Sequence, residues 1–274
     1  MNRVVALMRA DLAQPPPAGL EPLVERLRGH AGGALRAIVL YGSCRRSDDV
    51  HDGLVDLMAV VSDYRSVHGL GLSAAMNRLL PPNVYYAEAG PDDARLRSKY
   101  IVVSEDDFRR RTRGGLEPYF WARFTQPCRL VWAADDRAAA TLAGCRARAA
   151  GHFARRARRL GAFRGTASSF WARAIGATYG CEIRPEPPGN AERLVARDPE
   201  FWDALSETLL PEVEGIEFTA ADDVRVTAGA AHSMLGRTEW WIRAFTGKVM
   251  NVMRLIKAAG TFSNGLDYLA WKIE

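Results

Sequence analysis

Two runs decide the fold of this chain: Ala37-Ile-Val-Leu-Tyr-Gly-Ser43 and Leu54-Val-Asp-Leu-Met-Ala-Val-Val61. Each is short, apolar and rich in β-branched residues, which predicts a buried strand. The first run stops at Gly42-Ser43, and the second is interrupted by one carboxylate, Asp56. A glycine lets backbone N–H groups approach a phosphate, a serine adds a hydroxyl donor, and carboxylates are ligands that Mg²⁺ prefers. The runs therefore predict a phosphate-binding turn beside a metal-binding strand, or, alternatively, an ordinary turn beside a hydrogen-bonded core aspartate.

The segments around these runs predict an α/β (α+β) domain over residues 1–134. Helices are predicted at residues 21–28, 62–80 and 116–124, and further strands at residues 84–87, 99–104 and 128–132. From Asp135 the sequence changes to long segments rich in alanine and arginine with few strand signals. This change predicts a mainly helical second domain over residues 135–236 and a C-terminal amphipathic helical segment over residues 237–274.

Composition excludes several classes of protein. The chain has 274 residues, of which 48% are hydrophobic, so a mostly disordered chain is excluded. It contains no run of about 18 uncharged apolar residues, and its N-terminal segment is charged too early for a secretory signal. Four cysteines lie far apart without a C-x-x-C pair, which argues against a zinc site and a disulfide framework. We therefore expect a cytoplasmic, reducing location.

Positive charge is clustered along the chain, which has 37 Lys and Arg against 32 Asp and Glu and a net charge of +5. One cluster is Arg109–Arg113, and a second is the arginine-rich stretch 145–164, which includes Arg146, Arg156 and Arg159. Basic clusters predict an anionic partner. An RNA held by the stretch 145–164 is the less favoured partner, because the chain has no recognisable RNA-binding module.

The third cluster belongs to an amphipathic helix near the C-terminus. An apolar stripe at helical spacing consists of Trp241, Phe245, Val249, Val252 and Ile256, and Arg243, Arg254 and Lys257 fall on roughly the opposite face. Such a helix, with a tryptophan pair at its start, is typical of one that lies in a membrane interface. The alternative is that the stripe packs on the rest of the protein and the arginines face solvent.

The two opening runs carry a resemblance to known enzymes. A strand ending in Gly-Ser, followed by a strand bearing a carboxylate, resembles the DNA polymerase β-like nucleotidyltransferase superfamily. That superfamily normally has Asp-x-Asp on the second strand, whereas Met58 stands at the second position here. The first half is more specifically similar to the mitochondrial-type CTP:phosphatidate cytidylyltransferases, whose strand also bears a single aspartate.

Further matches to that family follow in chain order. Asp56 to Asp63 resembles its strand and acidic turn, and His68 stands where the family has a Trp-His pair. The other matching segments are Val84-Tyr-Tyr86, Lys99-Tyr-Ile-Val102, Glu105-Asp-Asp-Phe108, Tyr119-Phe-Trp-Ala-Arg-Phe-Thr-Gln-Pro127 and Thr178-Tyr-Gly-Cys-Glu-Ile-Arg184. The resemblance implies a nucleotidyltransferase sheet with flanking helices.

The resemblance also implies roles for individual residues. Asp56 and Glu182 would hold Mg²⁺, and together with Lys99 they would form the catalytic set. The remaining nucleotide-binding residues would be Tyr41, Gly42, Ser43, His68, Tyr100 and Arg184. For Glu182 and Arg184, the alternative is an exposed pair on a strand.

The activity implied by the resemblance is transfer of a cytidylyl group from CTP to phosphatidate, giving CDP-diacylglycerol and pyrophosphate. The expected partners are CTP, phosphatidate and an anionic membrane surface, with the protein peripheral on the inner face of a membrane. Two alternatives stay open. One is a nucleotidyltransferase with another acceptor, such as a sugar phosphate, a nucleic acid or a protein, and the other is a non-catalytic relative that binds nucleotide or lipid.

Overall fold

A computed structural model gives the fold, and it describes residues 1–46, 50, 51, 53–68, 80, 82–91, 95–183, 187–219, 222–227 and 230–261. The helices are α1 Asn2–Ala13, α2 Glu21–Ala31, α3 Arg65–His68, α4 Glu105–Thr112, α5 Tyr119–Arg123, α6 Asp136–Arg158, α7 Ala167–Tyr179, α8 Asn190–Ala196, α9 Pro199–Leu209 and α10 Ala230–Thr261. The strands are β1 Leu35–Tyr41, β2 Val55–Val61, β3 Asn83–Ala89, β4 Leu96–Ser104, β5 Arg129–Ala133, β6 Phe163–Thr166, β7 Ile216–Phe218 and β8 Asp223–Val226. The predicted mixed α/β class is confirmed.

Five strands form one mixed sheet in the order β3-β4-β2-β1-β5. The two runs that decide the fold are β1 and β2, which pair antiparallel, and β2 pairs parallel with β4. A parallel pair needs a crossover connection, and β3 and the segment before it supply that length of chain. The predicted helix over residues 62–80 is confirmed at Arg65–His68, and residues 69–79 lie outside the described part.

Helix α2 covers one face of this sheet. Its Leu23 and Leu27 are buried against a cluster that includes Leu40, Leu57 and Tyr100. Side chains alternate across a strand, so the residues between these, such as Asp56 and Lys99, point to the other face. Packing on α2 therefore determines which residues are left for a site on the opposite face.

The later part of the chain combines helices with a second, smaller sheet. Trp171 of α7 packs against Trp202 of α9 with ring centroids 5.2 Å apart, and its indole N–H donates to Ser206 Oγ at 2.8 Å. Strands β6, β8 and β7 form an antiparallel sheet in that order. The sequence predicted a mainly helical region here, and it did not predict these three short strands.

The chain divides into two compact units. The sheet unit contains Leu12–Arg109, Cys128–Thr141 and Met253–Glu274, and the helical unit contains Met1–Asp11, Arg110–Pro127 and Leu142–Val252. The domain boundaries at 134/135 and 236/237 stay a prediction. Among the described residues, no helix is both long enough and apolar enough to cross a membrane.

Candidate functional site

A polar row crosses one end of the five-stranded sheet. Tyr41 pairs with Asp56 between β1 and β2, Asp56 pairs with Lys99 between β2 and β4, and Lys99 pairs with Tyr86 between β4 and β3. Residues directly opposite each other on neighbouring strands share a face. The structure thus brings three predicted site residues, Tyr41, Asp56 and Lys99, into one row.

Gly42 and Asp56 are in close contact at the end of this row. Gly42 has φ +82°, a conformation that side-chain-bearing residues rarely adopt, and a methyl group on it would stand 2.7 Å from Asp56 Oδ2. The next residue, Ser43, is exposed and begins a 3₁₀ turn, Ser43–Arg46. Only glycine lets the turn pass directly over the carboxylate while leaving backbone accessible to a ligand.

Exposure differs along the row. Tyr41 is buried, Asp56 is half-buried and Lys99 is exposed. Lys99 has no hydrogen-bond or ion-pair partner among the residues that the structure describes. An exposed ammonium next to a half-buried carboxylate offers a point charge to an anionic group that also approaches Asp56.

Tyr100 lies on the opposite face, away from this row. Its hydroxyl is 2.8 Å from His30 Nδ1 of α2, and its ring stacks on Tyr85 with centroids 5.2 Å apart. Burial raises the pKa of Tyr100. The structure therefore does not bring Tyr100 to the face that carries Asp56, and its contacts are those of a packing residue.

Glu182 belongs to the helical unit, whereas Asp56 belongs to the sheet unit. Glu182 lies in the turn after α7, with its Oε1 3.8 Å from Arg123 Nη2, so the alternative of a strand pair is wrong for Glu182. It lines a shallow, open surface depression together with Tyr119, whose ring centroid lies 5.0 Å from the Arg123 guanidinium. A metal site shared by Asp56 and Glu182 stays a prediction.

Two predicted site residues cannot be placed. His68 is the last residue of α3, and its side chain lies outside the described part, as does the whole of Arg184. Among the described residues, no group of three or more His, Cys, Asp and Glu side chains is arranged to hold a metal ion. Asp56 alone still suits Mg²⁺, which proteins commonly hold with one or two carboxylates beside substrate phosphates.

Four residues of the same face were not singled out by the sequence reasoning. The Tyr86 hydroxyl donates to Glu88 Oε1 at 2.7 Å, Arg95 Nη1 donates to Glu88 Oε2 at 2.9 Å, and Arg97 Nε lies 3.6 Å from Glu88 Oε1. The Tyr86 hydrogen bond and the two arginines hold the pKa of Glu88 below its ordinary value. The period-two spacing of Tyr86 with Glu88, and of Arg97 with Lys99, was the signal that could have identified them.

The apolar stripe of the C-terminal helix α10 is exposed to solvent. Trp241 and Phe245 are 68% and 60% exposed with stacked rings, and Val249 and Val252 continue the stripe in exposed positions. Arg243 is 4% exposed, and its guanidinium donates to the Gly115 and Leu116 carbonyls and to Glu239. The expectation that Arg243 belongs to a surface cluster is wrong, because this arginine lies on the packed face.

Several other arginines of the predicted clusters are also engaged internally. Arg146 is 1% exposed, with its Nη2 2.7 Å from Asp11 Oδ2, and Arg156 and Arg159 both pair with Glu239. The burial of Glu239 raises its pKa, but hydrogen bonds from Arg243 and Arg159 outweigh burial and leave the pKa lowered. The stretch 145–164 is therefore less available to an external anion than its sequence indicates.

Comparisons with known proteins do not show a family for this chain. No protein-family model matches the chain, and no curated protein matches it. A solved structure similar to this chain is a nucleotidyltransferase-like protein from Exiguobacterium sibiricum 255-15, with 11% sequence identity and a TM-score of 0.31. The match covers 88% of this chain and 79% of that one.

Proposed function

We propose that this chain is a nucleotidyltransferase whose nucleotide site lies at the polar end of the five-stranded sheet. The observation that carries the proposal is the row in which Asp56 stands between Tyr41 and Lys99, with Gly42 in close contact with the carboxylate. Backbone from a glycine turn, a lysine point charge and a carboxylate are the three elements needed to hold a metal-bound triphosphate. All three belong to the same compact unit.

Each residue has a defined task in this proposal. Gly42 and Ser43 bind phosphate oxygens through backbone N–H groups and a hydroxyl, and Lys99 neutralises charge on the leaving pyrophosphate. Asp56 would hold Mg²⁺, which would offset negative charge on the triphosphate. Catalysis then consists of positioning and charge neutralisation by preorganised groups.

The favoured reaction is the transfer of a cytidylyl group from CTP to phosphatidate. An oxygen of the phosphatidate phosphate attacks the α-phosphorus of CTP in line, the bond from that phosphorus to the bridging oxygen breaks, and pyrophosphate leaves. A phosphate monoester has its second pKa near ~6, so it reacts as the dianion at neutral pH and no protein base is required. The ordered sequence resemblance over the first half of the chain supports this choice of donor and acceptor.

A peripheral location on an anionic membrane surface completes the proposal. The outward stripe of α10, formed by Trp241, Phe245, Val249 and Val252, is flanked by the exposed cations Arg237 and Lys248. An apolar helix face bordered by cations suits an interface between headgroups and acyl chains. A lipid substrate would then reach the enzyme without leaving the bilayer.

A second candidate is a non-catalytic relative that binds nucleotide or lipid. It is favoured by Met58, which is fully buried two residues after Asp56 on β2, where the wider superfamily places a second carboxylate.

A thermal-shift comparison of CTP, ATP, GTP and UTP with Mg²⁺ tests the proposal. We expect a rise in melting temperature that is largest for CTP and depends on Mg²⁺, because a ligand that binds only the folded state stabilises it. The absence of a shift with every nucleotide would contradict the proposed activity. A shift without pyrophosphate release in the presence of phosphatidate would favour the non-catalytic relative.

A further inference from the structure

Positive side chains line the start of β4 on the face that carries Asp56. Arg97 and Lys99 are separated by one residue on this strand and therefore share a face. Arg95, just before the strand, reaches Glu88 on the neighbouring strand β3, where Glu88 is the register partner of Arg97. We call Arg95 and Arg97 the arginine pair of β4.

One carboxylate holds the arginine pair in place. Glu88 Oε2 accepts from Arg95 at 2.9 Å, and Glu88 Oε1 lies 3.6 Å from Arg97 Nε while accepting from Tyr86 at 2.7 Å. Side-chain exposures are 41% for Arg95, 32% for Arg97 and 31% for Glu88, so each of the three side chains is partly exposed to solvent. Ion pairs exposed to this degree contribute little to stability, and a more highly charged anion displaces them readily.

We propose that the arginine pair of β4 binds the acceptor of the reaction, a phosphate monoester, and that Glu88 is the counter-ion which this phosphate displaces. This inference rests on the proposed function, since it assigns the second substrate of the same site. Guanidinium groups match phosphate oxygens in bidentate geometry, and two of them facing one carboxylate retain net positive charge for a dianion.

The position of the pair suits an attacking phosphate. One repeat of a strand is about 7 Å, so the charge at Arg97 stands one repeat from Lys99 along β4, while Lys99 is the register partner of Asp56. A phosphate on the arginine pair therefore lies next to a triphosphate held at Lys99 and Asp56. In-line transfer requires the attacking oxygen to come within about 3–3.5 Å of the α-phosphorus, and the long arginine and lysine side chains can bring two phosphates from this spacing into contact.

The test titrates soluble dihexanoyl phosphatidate and glycerol 3-phosphate against the full chain by ³¹P NMR without nucleotide. The wild type is compared with Arg97→Gln, with Arg97→Lys and with Arg28→Gln, which removes an exposed arginine of α2 paired with Glu25. We expect Arg97→Gln to weaken phosphate binding roughly ten-fold or more, because hydrogen bonds to a charged group are lost. Arg97→Lys should retain part of the affinity, and Arg28→Gln should bind like the wild type.

Glu88→Gln should have the opposite effect on phosphate affinity from Arg97→Gln. Glutamine keeps the size of Glu88 but removes the negative charge with which the phosphate competes, so we expect phosphate to bind several-fold more tightly. A purely structural role of Glu88 predicts weaker binding instead. Unchanged binding in Arg97→Gln, or weaker binding in Glu88→Gln, would overturn the inference.

Two further measurements distinguish a failure of this inference from a failure of the proposed function. The CTP-dependent thermal shift should persist in Arg97→Gln, and its loss there would place Arg97 in the nucleotide site and overturn the acceptor assignment. If the wild type shows no shift with any nucleotide but loses phosphate binding in Arg97→Gln, the phosphate site stands and the transfer reaction fails. Tighter binding of dihexanoyl phosphatidate than of glycerol 3-phosphate assigns the site to a lipid headgroup, and the reverse order assigns it to a soluble ester.

Discussion

Asp56 and Lys99 are direct register partners on the parallel strands β2 and β4, so their side chains share one face of the sheet. They come from segments more than forty residues apart, and neither predicts the other by local spacing. In the proposed site, this pairing would place a metal-binding carboxylate beside a phosphate-binding charge.

Gly42→Ala should damage both the fold and the site. The residue has φ +82°, and the added methyl would meet Asp56 Oδ2 at 2.7 Å, so we expect a loss of about 1–3 kcal/mol in the free energy of unfolding. We also expect weaker CTP binding, because the carboxylate must move. Gly29→Ala is the matched control. A methyl group at this position of α2 meets nothing within 4 Å, and alanine is more stable than glycine inside a helix by about 0.5–1 kcal/mol. Equal stability of the two variants in chemical denaturation would contradict the assignment.

Lys99→Gln should lower nucleotide affinity without unfolding the protein. The side chain is exposed and has no partner in the described part of the chain, so its removal costs little stability. Loss of a charged contact to phosphate should weaken CTP binding by roughly ten-fold or more, measured by calorimetric titration with Mg²⁺. Lys99→Arg keeps the charge and should retain part of the affinity. Unaltered CTP affinity in Lys99→Gln would remove the residue from the site.

Substitutions of the two adjacent tryptophans of α10 should have different effects on stability and on membrane binding. Trp240 is 8% exposed and its indole N–H donates to the Arg156 carbonyl, so Trp240→Ala should cost about 3–5 kcal/mol in unfolding free energy. Trp241 is 68% exposed, so Trp241→Ala should change stability by less than about 0.5 kcal/mol. Only the second variant tests membrane binding cleanly. We expect it to sediment less with vesicles that contain phosphatidate, and undiminished sedimentation would argue against the stripe as a membrane contact.

His152 should make stability depend on pH. Burial, followed by the charges of Arg156, Arg243 and Arg155, lowers the pKa of His152 to about 4 from an ordinary 6.5. The unfolded chain therefore takes up a proton before the folded chain does as the pH falls. The contribution of His152 is complete above pH 6.5 and is lost progressively down to about pH 4, by about 3 kcal/mol in all.

His152→Gln checks this dependence, because glutamine cannot titrate but can still accept from Arg156 Nε, which donates to His152 Nε2 at 3.3 Å. Denaturant unfolding at several pH values between 7 and 4 should show a shallower loss of stability in the variant. Parallel curves for variant and wild type would show that another group is responsible.

Sequence patterns predicted the strands of the five-stranded sheet well, because short, apolar, β-branched runs such as Ala37–Tyr41 and Val55–Val61 are typical of buried strands. They did not predict the register that places Lys99 beside Asp56, since pairing between distant strands depends on the packing of α2 and on turn geometry. The short strand Phe163–Thr166 was missed because its four residues include a glycine and an arginine and carry no clear period.

For helix α10, the sequence did not predict which face packs on the protein. Its 3.6-residue period was visible, but the period alone does not say which face packs. Arg243 is buried because its guanidinium finds the Gly115 and Leu116 carbonyls and the Glu239 carboxylate, partners that helix periodicity does not reveal. Gly236 and Gly247 mark the packed face, since a methyl group on either would collide with the carbonyl oxygen of Arg159 or Cys181.

The most direct test of the central claim is pyrophosphate release from CTP and Mg²⁺ with phosphatidate in mixed micelles, compared between the wild type, Asp56→Asn and Asp106→Asn. Asp106 is an exposed residue in the first turn of α4 and serves as the matched control. Asp56→Asn removes the carboxylate charge with almost no change in volume, so we expect release to fall by roughly 100-fold or more while Asp106→Asn keeps the wild-type rate. A rate for Asp56→Asn within a few-fold of the wild type would contradict the account.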